Sequence, residues 1–358
     1  MKIYNFSAGP ACLPDSVLEA SSRATLNYKE TGVSLMEMSH RSSEVMELFS
    51  NSTKRVKRIL DVPSNYHVLW LQGGASTQFS MAPLNLLPDD GIADYIETGS
   101  WSTKAIHECK KIGHPSVIGS SKDKNFTYIP KNLPQNINSH YLHITSNNTI
   151  YGTQYNKMPE VLNSSGYLVA DMSSDLFSKP VDISKFGLIY AGAQKNMGPA
   201  GVTLIIIRDD LVGLNYRDMP TMLNYETHVK KDSMFNTPPV FSVFVVNETL
   251  KWLEKIGGME KIDIINRKKA EKLYSEIESN ELFESPIRSE DQSLMNVPFI
   301  FSNRSHKDQS FLDFCSLRGL KTLKGHRSVG GFRASIYNAM EERGVDALID
   351  AMQSYKVS

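Results

Sequence analysis

Two spacings of apolar residues alternate along the first two-thirds of the chain. Short runs rich in β-branched and aromatic side chains, bounded by Gly, Pro or polar residues, predict buried strands. They are HVLWL (67–71), the run opening DYIETGSW (94–101), HYLHIT (140–145), YLVA (167–170), GLIYAGA (187–193) and VTLIII (202–207). Between them apolar positions recur every three or four residues, which predicts helices. These run from Asp15, over 44–60, from the Gly73-Gly74 turn to Leu87, through Lys110, and over 240–257. Asp15 is expected to cap the first. In 44–60, Val45, Leu48, Phe49, Val56, Ile59 and Leu60 share one side. Such alternation implies an α/β fold whose large domain has a mostly parallel sheet covered by helices.

Breakers divide the rest. Gly9-Pro10 and Pro14 favour an irregular arm over 1–15, and Gly257-Gly258 stops a helix. Beyond it, a charged amphipathic helix (259–280), a strand (295–301), a helix (307–318), a strand (333–337) and a last helix (343–355) read as a smaller α+β domain. The expected division is an arm (1–15), a large domain (16–257) and a small C-terminal domain (258–358). The polar, Pro/Asn-rich stretch 117–139 reads as loop, and 217–239, without periodicity, as a segment crossing the surface.

Composition narrows the functional classes. Lys+Arg and Asp+Glu balance at 39 each, so no electrostatic case exists for nucleic acid or an acidic membrane. Cys12, Cys109 and Cys315 lack CxxC spacing, which argues against a disulfide framework or zinc site and for reduced thiols. No apolar run approaches a membrane span, and no basic region precedes an apolar core at the N-terminus. A soluble, cytoplasmic protein without a metal is expected.

The chemistry concentrates where strands end. Asp171 stands at the exit of the run 167–170, and Gln194-Lys195 at the exit of 187–193. An acid and a lysine on neighbouring strand ends are what pyridoxal phosphate (PLP) chemistry needs. The lysine carries the aldehyde as a Schiff base, and the acid keeps the pyridine nitrogen protonated. A turn-capping Asp and a solvated Lys are the plainer alternative, but the small residues of AGAQKNMGPAG (191–201) leave room for a ligand. Strand, Gly73-Gly74 turn and helix start form an anion-binding arrangement, since free N–H groups and the helix dipole favour a phosphate; a simple tight turn remains open. Trp101 at a strand end is either core filler or a flat ring for a pyridine to stack on. His40-Arg41, His326-Arg327 and Arg333 lie in small-residue turns (SHRSS, GHRSVGGFR), and arginine forks match carboxylates and phosphates.

The motifs AGAQKNMGPAG, FSAGPA (6–11), SHR (39–41), FNTPP (235–239) and GHRSVGGFRASIYNA (325–339) together resemble the phosphoserine aminotransferases, fold-type I PLP-dependent transferases. The resemblance covers nearly the whole chain, with the motifs in the family's order. It implies Lys195 and Asp171 as catalytic residues, and Ala75, Ser76, Trp101, Thr149 and Gln194 around the cofactor. Asn236 and Thr237 would reach the cofactor phosphate of a partner subunit in a homodimer. Many relatives carry Gly-Arg where this chain has Ala75-Ser76, so an arginine contribution is missing. Arg333 would take the substrate α-carboxylate, Arg41 with His40 the distal carboxylate or phosphate, and His326 and Arg327 would add charge from the partner.

The implied reaction moves an amino group from glutamate to 3-phosphohydroxypyruvate, giving 2-oxoglutarate and O-phosphoserine; a phosphorylated hydroxythreonine of vitamin B6 synthesis is a further implied substrate. The rivals are weaker. A desulfurase needs a mobile cysteine in an active-site loop, and none is evident. A nicotinamide dehydrogenase needs GxGxxG after an early strand, which is missing. A non-catalytic scaffold of this fold should lack the lysine.

Overall fold

The computed structural model describes residues 2–163 and 166–356. Met1 of the expected arm and Val357-Ser358 of the expected small domain lie outside the described residues. In chain order the elements are β1 (Tyr4–Asn5), α1 (Asp15–Leu26), α2 (Ser43–Ile59), β2 (Tyr66–Leu71), α3 (Gly74–Leu86), β3 (Ile92–Glu97) and α4 (Ser100–Cys109). Next come β4 (His114–Ser120), β5 (Ser139–Thr145), β6 (Tyr167–Asp171), β7 (Phe186–Gly192), β8 (Thr203–Arg208), α5 (Tyr225–Val229) and α6 (Val240–Lys255). The chain closes with α7 (Gly258–Ser279), β9 (Phe283–Glu284), β10 (Asn296–Phe301), α8 (Asp308–Leu317), β11 (Leu320–Lys321), β12 (Phe332–Ser335) and α9 (Glu342–Ser354).

Seven strands form the main sheet in the order β2-β8-β7-β6-β5-β3-β4. All neighbours are parallel except β8, which runs antiparallel to both β2 and β7. The period of two sorts the strand residues into two cores. Val68, Trp70, Leu168, Ala170, Ile189 and Ala191 face one side with Val45, Leu48 and Phe49 of α2. Leu69, Leu71, Tyr167, Val169, Leu188 and Tyr190 face the other with Phe79 and Met81 of α3 and Ile106 of α4. Burial on both faces explains why these runs are almost continuously apolar.

A separate core gathers Phe6 with residues of α7, β10, α8, β12 and α9 around the sheet β12-β10-β9. The arm is therefore less irregular than its prolines imply. Its β1 pairs with β11, Tyr4 opposite Leu320, and Phe6 is fully buried.

Three further expectations change. The stretch 117–139 is not all loop, because β4 runs parallel to β3 as an edge strand; its Pro115, Ser116 and Gly119 hide the strand signal that backbone pairing overrides. Asp15 is the first helical residue rather than the cap, which is Pro14; its carboxylate still lies in the first turn, favourable to the dipole. The aperiodic stretch 217–239 contains α5, anchored by the buried Tyr225, whose hydroxyl donates to Gln78 Oε1 at 2.6 Å.

Candidate active site

The parallel strands β5, β6 and β7 end side by side, with Thr145 opposite Asp171 and Asp171 opposite Tyr190. Asp171 is buried, and its Oδ1 accepts the backbone N–H of Ser173 at 3.0 Å. Burial raises its pKa, while Lys195 and Ser173 pull it back down. After β7 the chain turns sharply: the Lys195 N–H donates to Ala193 O at 2.7 Å and the Ala193 N–H to Val202 O at 3.0 Å. Gly198 packs so closely on α6 that an added Cβ would meet Val246 Cγ2 at 2.8 Å. This rigid turn presents Lys195 inward. The lysine is half-buried, and desolvation draws its pKa below the ordinary value against the pull of Asp171 and Asp175, with Arg333 lowering it further.

Asp171 and Lys195 open onto a cavity of about 790 Å³. At one end lies the start of α3. Gly73 and Gly74 hold φ of 91° and 64°, the left-handed region that glycine enters without strain, and no side chain caps the helix. Its first N–H groups, beside Ala75 and Ser76, are therefore free for an anion. Across the cavity Trp101 Nε1 donates to Thr149 Oγ1 at 3.2 Å, and Lys195 Nζ lies 6.0 Å from the Trp101 ring centre. Thr145 also lines the cavity; its buried Oγ1 has no hydrogen-bond partner among the described residues. A buried acid, an amine, a flat ring, an orphan hydroxyl and a helix N-terminus suit a flat, phosphorylated pyridine such as PLP.

The cavity also has a cationic patch. Arg333, His326, Arg327 and Lys104 line it. Arg333 Nη1 donates to Thr149 O at 2.8 Å, and His326 Nδ1 is 2.7 Å from Ser328 Oγ. Burial and the neighbouring Arg333, Arg327 and Lys104 lower the pKa of His326. The resemblance has His326 and Arg327 reaching in from a partner; here they line the cavity of their own chain. His40 and Arg41 do not line it: they precede α2, whose cap is Ser42, and the Arg41 N–H donates to Ser39 Oγ at 3.2 Å. Asn236 and Thr237 also stay outside it. They touch Gln72 just before the α3 turn, through Asn236 Nδ2 at 3.4 Å and Thr237 O at 3.3 Å.

Thr145, Lys104 and Gly9 of the arm also line the cavity, although no local pattern gives Thr145 or Gly9 a role there. Lys104 was findable, because three residues after Trp101 on a helix it shares that ring's face, 4.6 Å away. Gly9 was not. A Cβ there would sit 3.5 Å from Lys195 Cγ, and the Ala11 N–H donates to Gln194 O at 2.9 Å.

The sequence profile of the class-V aminotransferases matches residues 3–348. The phosphoserine aminotransferase of Desulfotalea psychrophila is 50% identical over 356 residues, covering 99% of this chain and 98% of that protein. That of Bacillus cereus is 49% identical over 358 residues, covering 99% of each. Among solved structures, the phosphoserine aminotransferase of Bacillus circulans subsp. alkalophilus superposes with a TM-score of 0.94 at 43% identity, over 98% of both chains. A PLP-bound phosphoserine aminotransferase from Trichomonas vaginalis gives 0.93 at 38% identity, over 99% of this chain and 100% of that one. A double-sided α/β sheet, an acid–lysine pair at its strand ends and full-length identity near one half thus agree, and the chain belongs to the class-V aminotransferases, in the phosphoserine aminotransferase family.

Proposed function

We propose that the protein is a PLP-dependent transaminase interconverting O-phospho-L-serine and 2-oxoglutarate with 3-phosphohydroxypyruvate and L-glutamate, the amino-transfer step of serine biosynthesis. One observation carries the reading: Asp171 and Lys195 stand at adjoining strand ends in one cavity that an anion-binding helix start and four cationic side chains also line. When bound, PLP supplies an electron sink for charge developing at the substrate Cα.

This chain's residues do the rest. The α3 N-terminus, with Ala75 and Ser76, would hold the cofactor phosphate. Trp101 would lie against the ring, Thr149 and Gln194 would flank it, and Asp171 would keep a proton on the pyridine nitrogen. Lys195, whose pKa is lowered by burial, is the amine that takes the proton from the substrate Cα and returns it on the far side of the transfer. Arg333 binds the α-carboxylate as a planar fork; His326 and Arg327 meet the distal phosphate or carboxylate. A phosphorylated hydroxythreonine carries the same two anions and fits the same arrangement.

A homodimer and a cytoplasmic location belong to the proposal. Asn236 and Thr237 stand outside their own cavity beside Phe235, which is 43% exposed; in a dimer they would reach the neighbouring subunit, as would His40 and Arg41. The free thiols Cys12, Cys109 and Cys315 suit a reducing compartment, and among the described residues no helix is long and apolar enough to cross a membrane. The expected split into arm, large and small domains is likewise proposed, on the strength of the separate core around β10 and β12.

The test combines spectroscopy and assay. The purified protein should show a visible absorbance band that borohydride abolishes, with the cofactor then fixed on Lys195 by peptide mapping. Glutamate should donate to 3-phosphohydroxypyruvate, and cysteine should release no sulfide. Burial raises all three thiol pKa values, that of Cys315 to about 12, and none of the three lines the cavity, which opposes a desulfurase. Cofactor fixed elsewhere, or sulfide production, would sink the reading.

A further inference from the structure

Between the large sheet and the separate core around β10 and β12 runs a chain of hydrogen bonds with one sense of donation throughout. Ser293 Oγ donates to Asn147 Oδ1, and Asn147 Nδ2 donates to Asn296 Oδ1 at 2.8 Å. Asn296 Nδ2 then donates to the Tyr337 hydroxyl at 3.1 Å, and that hydroxyl donates to the Ala8 carbonyl at 2.7 Å. Side branches satisfy the remaining protons: Asn147 Nδ2 to Ser174 Oγ at 2.8 Å and Asn296 Nδ2 to Ser335 Oγ at 2.9 Å. Asn147, Ser293, Asn296 and Tyr337 are each at most 1% exposed. A fully satisfied buried network specifies a single geometry, because slippage would leave polar groups unpaired in a low dielectric.

The ends of this chain matter. Asn147 and Ser174 line the cavity, and so do Ala8 and Gly9 of the arm. Gly9 rests against the Lys195 stem, and Ala11 is bonded to the Gln194 carbonyl. Tyr337 therefore joins the wall holding Asp171 to the arm that covers Lys195, although it does not itself line the cavity.

We propose that Tyr337 is a positioning residue for the amino-transfer reaction, its hydroxyl holding the N-terminal arm down on Lys195 and so limiting water around the amine. The inference rests on the role given to Lys195 above. The charged groups facing that amine are Asp171 at the end of β6, Asp175 just beyond it and Arg333 on β12. With their charges unchanged, hydration from a loosened arm returns the amine toward its ordinary, higher pKa, so less of it is neutral near pH 7.

Tyr337→Phe tests this, because it keeps the buried ring and removes only the hydroxyl. Bound-cofactor protein is compared by hydrogen–deuterium exchange over residues 8–11 and by the pH profile of kcat. Exchange at the arm should quicken about tenfold, the effect of losing one hydrogen bond. Turnover near pH 7 should fall about three- to tenfold and recover at higher pH as the acid limb moves up. Unchanged arm exchange overturns the proposal, and so does faster exchange with an unmoved limb. If the variant does not fold, the parent protein still decides: the Ala11 amide must be as protected as those of the 193–198 turn, and exchange at the rate of an open chain overturns it. Arm exchange does not depend on Lys195 chemistry, so a mistaken role for Lys195 is exposed separately, by cofactor fixed on another lysine.

Discussion

Arg333 reaches from the small sheet to donate Nη1 to the backbone carbonyl of Thr149 at 2.8 Å, and the hydroxyl of the same threonine accepts Trp101 Nε1 at 3.2 Å. The anion-binding fork and the flat ring are thus set by one residue between them. Arg333→Lys keeps the charge but loses the fork. KM should rise about tenfold or more for glutamate and phosphoserine alike, since both carry an α-carboxylate. Single-turnover kinetics with each donor will check this, and a loss confined to one donor would remove the α-carboxylate role.

Lys195→Ala should lower transamination by at least about 10³ while the fold persists, because the proton-moving amine disappears. Circular dichroism establishes folding, and a variant retaining a tenth of the parent rate would refute the assignment.

Asp171→Asn should still bind cofactor but lose about 10²–10³ in kcat, since a neutral amide cannot hold the pyridine proton. The carboxyl is buried, and its pKa is raised by desolvation with only Lys195 and Ser173 opposing. A positive ring nitrogen at this place would be its strongest partner. A kcat within threefold of the parent would leave Asp171 as a turn residue.

Thr149→Val removes the hydroxyl that fixes Trp101 and leaves the carbonyl that receives Arg333. Cofactor affinity should weaken about five- to tenfold, near the worth of one hydrogen bond, with little change in KM for glutamate. Equilibrium titration of cofactor against tryptophan fluorescence measures it; unchanged affinity would reduce the contact to packing.

Lys269 makes a stability prediction. It is fully buried, and its Nζ donates to the carbonyls of Ile336, Tyr337 and Met340 at 2.9, 2.8 and 3.0 Å. Lys269→Met should cost about 3 kcal/mol by orphaning those carbonyls, read from the urea midpoint. Burial draws the lysine's pKa from 10.5 down to about 7. The unfolded chain then holds the extra proton between those values, so this group's contribution to parent stability rises with pH across that window. The Met variant should lack that component; parallel pH–stability curves would contradict it.

Much of the architecture was legible in local pattern. The buried strands, their helices and the Asp171 and Lys195 exits follow from apolar runs cut off by polar and small residues, because a doubly covered sheet demands such runs. Side-chain period is the same in either direction, so nothing local marked β8 as antiparallel, and β4 takes its shape from pairing with β3 rather than from its own residues. Resemblance nominated the basic residues, but only folding separated Arg333, His326 and Arg327 inside the cavity from His40 and Arg41 outside it.

What the amino-acid sequence determined by itself is the chemistry available at strand ends, since strand, turn and helix start are local events of a few residues. Which distant groups meet there is fixed by long-range packing. Gly9 against Lys195, Ala8 beneath Tyr337, and Asn147 bonded to Asn296 join residues far apart in the chain. Their positions follow from how the core around β10 and β12 packs on the large sheet, a global compromise of burial and hydrogen bonding that leaves no periodic trace in the sequence.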